Sequence, residues 1–541
     1  MVPFGCGTRR AGPYPFVVLG LGRVSRYGDG VATLLDPPAA PPDEELESPL
    51  ISETELSEVH ASTRPITKAD RIAQTIVMAL LFAGPAIMCL HGSCANDADI
   101  WWHMRTGEWI LQHHAVPYVD SFSGPFAGQP WLAYSWLFEL VVAKLFQWLG
   151  LVGIAAYSAA MILTISVAIY HLVRRLQSDF TLSVLLTFVA MFSMGHMFTP
   201  RPWLFTILLF VLEIDILMHA RRTGKLSELA WLPVIFALWA NVHIQFVDGL
   251  LVLGLAVAEA LAARWWSAAQ KRVGPTWLGG ALLASIFATL ANPYGWHVYR
   301  VAYDLATQAG ALNKVTELQA LPFRSPSDFV ILLLTLGSAG ALAWHRRLAS
   351  FEGALLAFSA ILSFRSQRDV WIIATVAIAI LASAITGRRK AIGKLPGLAT
   401  GLAGVVAILA VSASFVVLHV NNSELQIQVS ENMPVRAVEV IREKGFSGPL
   451  YNDFNWGGYL IQNLGLPVSI DGRQNLYGDQ GMDRSVATWN GEPDWATDGQ
   501  LVSARLVIGP VHTPLIQLLR IDPRFQLAYE DKVAAVFVAR K

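Results

Sequence analysis

Apolar residues recur along this chain in blocks of about 20, the length a bilayer-crossing helix needs, separated by short polar segments. Blocks predicting spans fall at 71–90, 151–173, 180–197, 202–219, 229–244, 245–264, 277–295, 328–345, 349–365, 369–387 and 397–420. One more run, WLAYSWLFELVVAKLFQWL at 131–149, is equally long. A shorter helix is predicted over 100–114, and the turn-rich PYVDSFSGPFAGQP joins the two. From 421 the pattern changes to short apolar strands at 448–452, 467–470, 504–508, 525–529 and 533–539. Helices are predicted there at 434–443, 456–463 and 514–520, which together imply a small α/β domain.

Positive charge decides the status of 131–149, because loops on the cytoplasmic side carry excess Lys and Arg. If 131–149 does not cross, the inner loops hold fourteen such residues: Arg174, Arg175, Arg221, Arg222, Lys225, Arg264, Lys271, Arg272, Arg346, Arg347, Arg388, Arg389, Lys390 and Lys394. The outer loops after 150 hold six: Arg201, Arg300, Lys314, Arg324, Arg365 and Arg368. A crossing would reverse the totals. The expectation is a polytopic α-helical membrane protein of about eleven spans, with 131–149 lying flat on the outer leaflet as an interfacial helix. Residues 1–70, rich in Pro, Gly and acids, read as a disordered cytoplasmic segment. Residues 71–420 form the membrane domain, with a first external loop at 91–150 and a second at 296–327, and 421–541 form an external soluble domain.

Composition agrees: the 541 residues are 54% hydrophobic and 15% charged, against roughly 25% charged in soluble domains. Lys+Arg and Asp+Glu are both 40, and no basic block points to nucleic acid. Cys6, Cys89 and Cys94 make neither a disulfide framework nor a zinc spacing, although a Cys89–Cys94 bridge is open to an oxidised loop. P-loop, dinucleotide-binding and HExxH motifs are absent, which removes ATP-driven transport and zinc proteolysis as first readings.

The stretch NDADIWWHMRTGEWILQHH, 96–114, crowds ionisable and aromatic residues beside a span. Asp97 and Asp99 have two compatible readings. One is a general base or a divalent-cation ligand pair, with Mg²⁺ or Mn²⁺ as candidates. The other is capping of the following helix by Asp99. His103 and Arg105, about a turn away, can bind a phosphate or pair with Glu108 or Asp120. Arg201, in FTPRPW, has no acidic partner in its own turn and is expected to face headgroups or a phosphate. The turn WANVHIQFVDG, 239–249, places Asn241, His243, Gln245 and Asp248 at a span end, where ionisable groups are candidates for a site. In the last domain, YNDFNWGGYL and SIDGRQNLYGD supply Asp471, Arg473 and Tyr477, a mixture suited to sugar hydroxyls and ring faces. Those two stretches also suit ordinary strand-end turns.

NDADIWWH, followed by a second surface helix at QPWLAYSWLFEL, resembles the GT-C superfamily of integral-membrane glycosyltransferases, which includes protein O-mannosyltransferases and the lipid A aminoarabinose transferase. The chain is similar in particular to bacterial GT-C-like proteins with W-A-N-x-H and a late D-G-R-x-x-x-Y, although Ile244-Gln245 follow His243 and Arg368-Asp369 stands where Arg-Asn is expected. The resemblance covers 71–541. It implies Asp97 or Asp99 as acid/base and Arg201 as donor-phosphate contact. The expected function is sugar transfer from a polyprenyl-phosphate donor to an envelope glycan, lipid or protein on the outer face of a bacterial inner membrane. No redox cofactor is required, and a divalent cation is left open. The expected phosphate contacts are Arg201, Arg105, His103 and Arg300; the expected substrate contacts are Trp102, Asn241, His243, Asp471, Arg473 and Tyr477. The alternatives are a transporter or lipid flippase, or a non-catalytic assembly protein.

Overall fold

The structure is a computed structural model that describes residues 67–91, 97–266, 273–308, 315–344, 350–385 and 397–540. All but the end of the predicted 1–70 segment, together with Cys6, Cys94 and Lys314, lies outside the described residues. Residues 68–70 are already helical.

The first helix, α1 (Lys68–His91), starts at a reciprocal cap: the Asp70 amide donates to Thr67 Oγ1 at 3.1 Å and the Thr67 amide to Asp70 Oδ2 at 2.9 Å. Two short helices follow, α2 (Ile100–His113) and α3 (Trp136–Leu149). The predicted 131–149 helix thus begins five residues late, since 131–135 form an irregular lead-in. The two helices cross at Gly107, where an added Cβ would lie 2.1 Å from the Glu139 carbonyl oxygen. Gly150, at φ +66, turns α3 directly into the next helix.

The apolar blocks become helices α4 (Leu151–Leu176), α5 (Phe180–Ser193), α6 (Trp203–Thr223), α7 (Leu232–Val242), α8 (Phe246–Trp266) and α9 (Pro275–Thr289). After the loop helix α10 (His297–Thr307) come α11 (Pro326–Trp344), α12 (Ser350–Arg365), α13 (Val370–Ala384) and α14 (Gly397–Val417). Seven helices among the described residues are long and apolar enough to cross a membrane. The predicted blocks at 180–197, 229–244 and 277–295 are apolar but shorter, and the chain is a multi-pass membrane protein. Helix α13 is buried on nearly every side, which its small and β-branched sequence WIIATVAIAILASA permits. Helix α14 instead exposes Leu398, Leu409 and Val416, as a lipid-facing helix would.

Polar contacts sort the helix ends into two groups. Arg175 pairs with Asp215 and Glu228, and Arg221 with Glu259, at the end where α4 and α6 finish. The opposite ends surround one cavity, and the C-terminal region lies over them.

That region starts with α15 (Asn422–Asn432), whose Asn422 side chain accepts from Val152 N at 3.1 Å and donates to Leu149 O at 3.0 Å. The sheet has strands β1 (Leu450–Asn452), β2 (Leu506–Pro510), β3 (Phe525–Glu530) and β4 (Ala534–Ala539), in the order β1-β2-β4-β3. The β1–β2 pair is parallel, with Leu450 opposite Leu506; the other pairs are antiparallel. A parallel neighbour requires a crossover, and this one carries Gly457–Asn463 and Gln474–Trp489. The predicted strand at 467–470 does not join the sheet. Val468 pairs instead with Ser123 of the first loop, its amide donating to Phe122 O at 3.1 Å. Its apolar residues are buried between two parts of the chain, so their pattern mimics a strand of the local sheet.

Candidate active site

The cavity, about 470 Å³, is walled by the lead-in to α2, the Arg201 turn before α6, the His243 turn, the loop after α10, the Arg365–Asp369 turn before α13, and residues 472–475. Three carboxylates from distant parts of the chain meet one guanidinium there. Arg201 Nε lies 2.7 Å from Asp97 Oδ2, and its NH1 lies 2.7 Å from Asp99 Oδ2 and 3.1 Å from Glu317 Oε1. The sequence reading had Arg201 facing headgroups or phosphate without an acidic partner; its partners come from other loops, so its fork is already engaged.

Asp97 and Asp99 divide their labour. Asp97 is buried, with Oδ1 accepting the Asp99 amide at 2.8 Å. Asp99 lines the cavity, and its Oδ1 accepts Trp102 Nε1 at 3.2 Å. Asp99 occupies the N-cap position of α2 as expected, but its side chain makes no capping hydrogen bond. Burial pushes the Asp99 carboxyl up to about 6, with Asp97 and Glu317 adding to the rise and Arg201 opposing it. It is therefore a weak acid poised near neutrality, the state a general base needs.

His103 also lines the cavity, with Nδ1 3.1 Å from Glu139 Oε1 on α3. Burial lowers the His103 pKa well below its usual value and raises that of Glu139 well above it. The hydrogen bond between them joins α2 to α3, and its donor is set by the imidazole tautomer.

His243 sits behind Arg368. Arg368 NH2 is 3.4 Å from His243 Nε2, and His243 Nδ1 is 2.8 Å from Thr206 Oγ1, which also accepts Trp239 Nε1 at 2.8 Å. A guanidinium cannot accept, so Nε2 is the acceptor and Nδ1 carries the proton. Burial lowers the His243 pKa well below its usual value, in keeping with this neutral tautomer. Arg368 and Arg201 both lie against the Trp203 ring, at 5.3 and 4.7 Å. Arg368 Nε is buried with no hydrogen-bond partner among the described residues. Arg365, exposed on the cavity wall, has no ion pair among the described residues. Asp369 Oδ1 accepts Gln245 Nε2 at 2.8 Å. The remaining wall is apolar, with Ile244, Val247, Leu305, Ala306, Leu318 and Leu362.

Several expected contacts lie elsewhere. Arg105 pairs with Glu108 at 3.3 Å and does not line the cavity. Arg300 is 77% exposed, 4.0 Å from Asp304, and turned away while its neighbours Tyr299 and Tyr303 face in. Asn241 spends its amide on Trp136, Ala237 and Ala291. Asp471, Arg473 and Tyr477 are buried beneath the wall. Arg473 bridges Asp471 at 2.6 Å and Asp120 of the first loop at 2.5 Å, with both pairs fully buried, and the Tyr477 hydroxyl donates to Asp471 at 2.6 Å. These residues rivet the C-terminal domain to the first loop and put Gly472 against Asp99, where an added Cβ would meet Asp99 Oδ1 at 1.9 Å.

A divalent cation at Asp97 and Asp99 does not fit this arrangement. Their facing oxygens are held by Arg201, and no group of three His, Cys, Asp or Glu among the described residues has metal-binding geometry. Glu317, Glu139 and Arg365 belong to the site without having been expected in it, their signal being position at a span end or in the second loop; Arg368-Asp369, noted where the resemblance expects Arg-Asn, lines it too.

No family model matches the sequence, and no curated protein matches it. Among solved structures, the chain is similar to the apo oligosaccharyltransferase of Archaeoglobus fulgidus, with 12% identity and a TM-score of 0.47 over 82% of this chain and 70% of that one. It is also similar to the oligosaccharyltransferase AglB of the same organism in complex with an inhibitory peptide and a dolichol-phosphate, with 11% identity and a TM-score of 0.47 over 82% and 69%.

Proposed function

We propose that this chain is a membrane glycosyltransferase that moves a sugar from a polyprenyl-phosphate donor to an acceptor on the face where the cavity opens. One observation carries the reading: two arginines with no ion pair among the described residues, Arg365 and Arg368, share a half-apolar cavity with Asp99, a carboxyl pushed up to about 6. The donor phosphate binds Arg365 and Arg368, with the His103 imidazole beside them on the cavity wall, and the lipid tail leaves along Val247, Leu305 and Leu362. Asp99 takes the proton of the acceptor hydroxyl. The acceptor oxygen bonds to the anomeric carbon as the bond from that carbon to the phosphate oxygen breaks, and polyprenyl phosphate departs. Asp97 holds Arg201, and Arg201 orients Asp99, so positioning and electrostatics supply the catalysis. All eleven apolar helices cross the membrane in this reading. The N-terminus is cytoplasmic and the C-terminal domain outside, in a bacterial inner membrane. The acceptor is an envelope glycan, lipid or protein.

The test is transfer from a panel of labelled polyprenyl-phosphate sugars by membranes carrying the wild type or Asp99→Asn. Transfer by the wild type that disappears in the variant supports the reading; equal transfer by both removes Asp99 as base. A proton-coupled transporter is the second reading, because Glu213, midway along α6, is buried with neither carboxylate oxygen hydrogen-bonded among the described residues. Uptake that depends on Glu213, without sugar transfer, would favour it.

A further inference from the structure

We infer that Arg201 is a built-in replacement for a divalent cation: its guanidinium occupies the point where Asp97, Asp99 and Glu317 converge, so the intact protein binds no divalent metal there. This rests on the geometry of the cluster and holds whether or not the chain transfers sugar.

The three carboxylates come from two loops far apart in sequence, yet each aims an oxygen at the same group, at 2.7, 2.7 and 3.1 Å. Mg²⁺ demands near-octahedral oxygens at about 2.0–2.1 Å. The oxygens it would need are those that hold Arg201. Turning the carboxylates over does not free a second set. Asp97 Oδ1 accepts the Asp99 amide, and Asp99 Oδ1 accepts Trp102 Nε1.

Arg201 is not a mobile side chain resting in the cluster. Pro200 and Pro202 flank it, its carbonyl accepts the Tyr157 hydroxyl at 3.1 Å, and its guanidinium packs on Trp203. Its side chain is 16% exposed. The planar fork also explains why arginine suits this position. Nε binds one carboxylate while NH1 binds two others, which an ammonium on a flexible stem does not reproduce. A guanidinium brings one positive charge to three carboxylates where a metal would bring two. It cannot be removed by a chelator or exchanged. The three carboxylates are not arranged around a metal position as they stand, but taking away the guanidinium should leave them without a cation and with room to close as hard oxygen ligands on Mn²⁺ or Mg²⁺.

The experiment uses the purified full chain in detergent with Mn²⁺ as probe, read by electron paramagnetic resonance of free Mn²⁺ and by thermal unfolding with and without the ion. The wild type should show no saturable Mn²⁺ binding that depends on Asp99, and its unfolding temperature should be the same in Mn²⁺ and in chelator. Arg201→Ala should take up a single Mn²⁺ and unfold at a higher temperature with the ion than without. If Arg201→Ala does not fold, Arg201→Gln, which keeps most of the side-chain volume, is measured instead. Saturable Mn²⁺ binding by the wild type that Asp99→Asn abolishes overturns the inference. So does a folded Arg201 variant that binds no Mn²⁺. Neither result depends on sugar transfer, so failure here is separate from failure of the proposed activity. Should transfer be found, wild-type rates in chelator should match those in Mn²⁺.

Discussion

Gly472→Ala tests whether the C-terminal domain sets the position of the Asp99 carboxylate. The new Cβ would stand 1.9 Å from Asp99 Oδ1 and 2.8 Å from its Cγ, whereas real Cβ atoms essentially never come within 3.0 Å of another heavy atom. Something must move by about 1 Å. The 471–473 turn is the stiffer side, because Arg473 ties it to Asp120 and Asp471 through fully buried ion pairs. Asp99 is the softer side, held by one long hydrogen bond from Trp102 and one contact from Arg201. The carboxylate should therefore be pushed away from residue 472 and out of its present position. A 1 Å misplacement costs on the order of 10²-fold in rate, and overpacking of this kind costs about 1–3 kcal/mol in stability. Transfer kinetics and thermal unfolding in detergent read the two effects. Gly279→Ala is the control, since nothing lies within 4 Å of its added Cβ in helix α9 and alanine favours a helix. If Gly472→Ala turns over at the wild-type rate and unfolds at the wild-type temperature, the domain does not position Asp99 and the close approach has been misread.

Other outcomes follow from the same geometry. Because burial puts Asp99 near 6, its base form predominates only above that pH, so wild-type transfer should decline as pH falls through about 6. Asp99→Asn should cost ~10²–10⁴-fold and lose that dependence; a wild-type acid limb that survives in the variant would assign it to another group. Arg365→Gln and Arg368→Gln should each weaken donor binding by on the order of 10–100-fold, the worth of a charge-assisted hydrogen bond. Unchanged donor affinity in both variants would move the phosphate elsewhere. Arg473→Ala leaves Asp471 and Asp120 buried without their partner and should destabilise the chain by about 3–5 kcal/mol, seen in denaturant unfolding; an unchanged midpoint would deny the rivet. In a cysteine-free background, an impermeant thiol reagent added outside should label Gln147→Cys and spare Ser178→Cys. The reverse pattern would invert the topology.

Much of the architecture was legible in the residues themselves. Apolar run length marked where the membrane helices lie, because a helix in lipid must be apolar over its whole length. The change of period after 421 marked the region whose short strands form the C-terminal sheet. The crowding at 97–105 located one wall of the cavity. What the sequence could not say is who pairs with whom. Arg201 has no acidic residue in its turn, yet Asp97 and Glu317 reach it from 104 and 116 positions away. Ion pairs across such separations leave no periodic trace; only packing of the helix ends brings the loops together. The same holds for Asp471 and Arg473. Their composition suits a sugar site as well as a buried rivet, and the choice depended on Asp120 arriving from the first loop to consume the charge. Local pattern set the elements, since burial and backbone hydrogen bonding act residue by residue. The tertiary structure decided which charges are spent on one another and which, at Arg365 and Arg368, have no ion pair among the described residues.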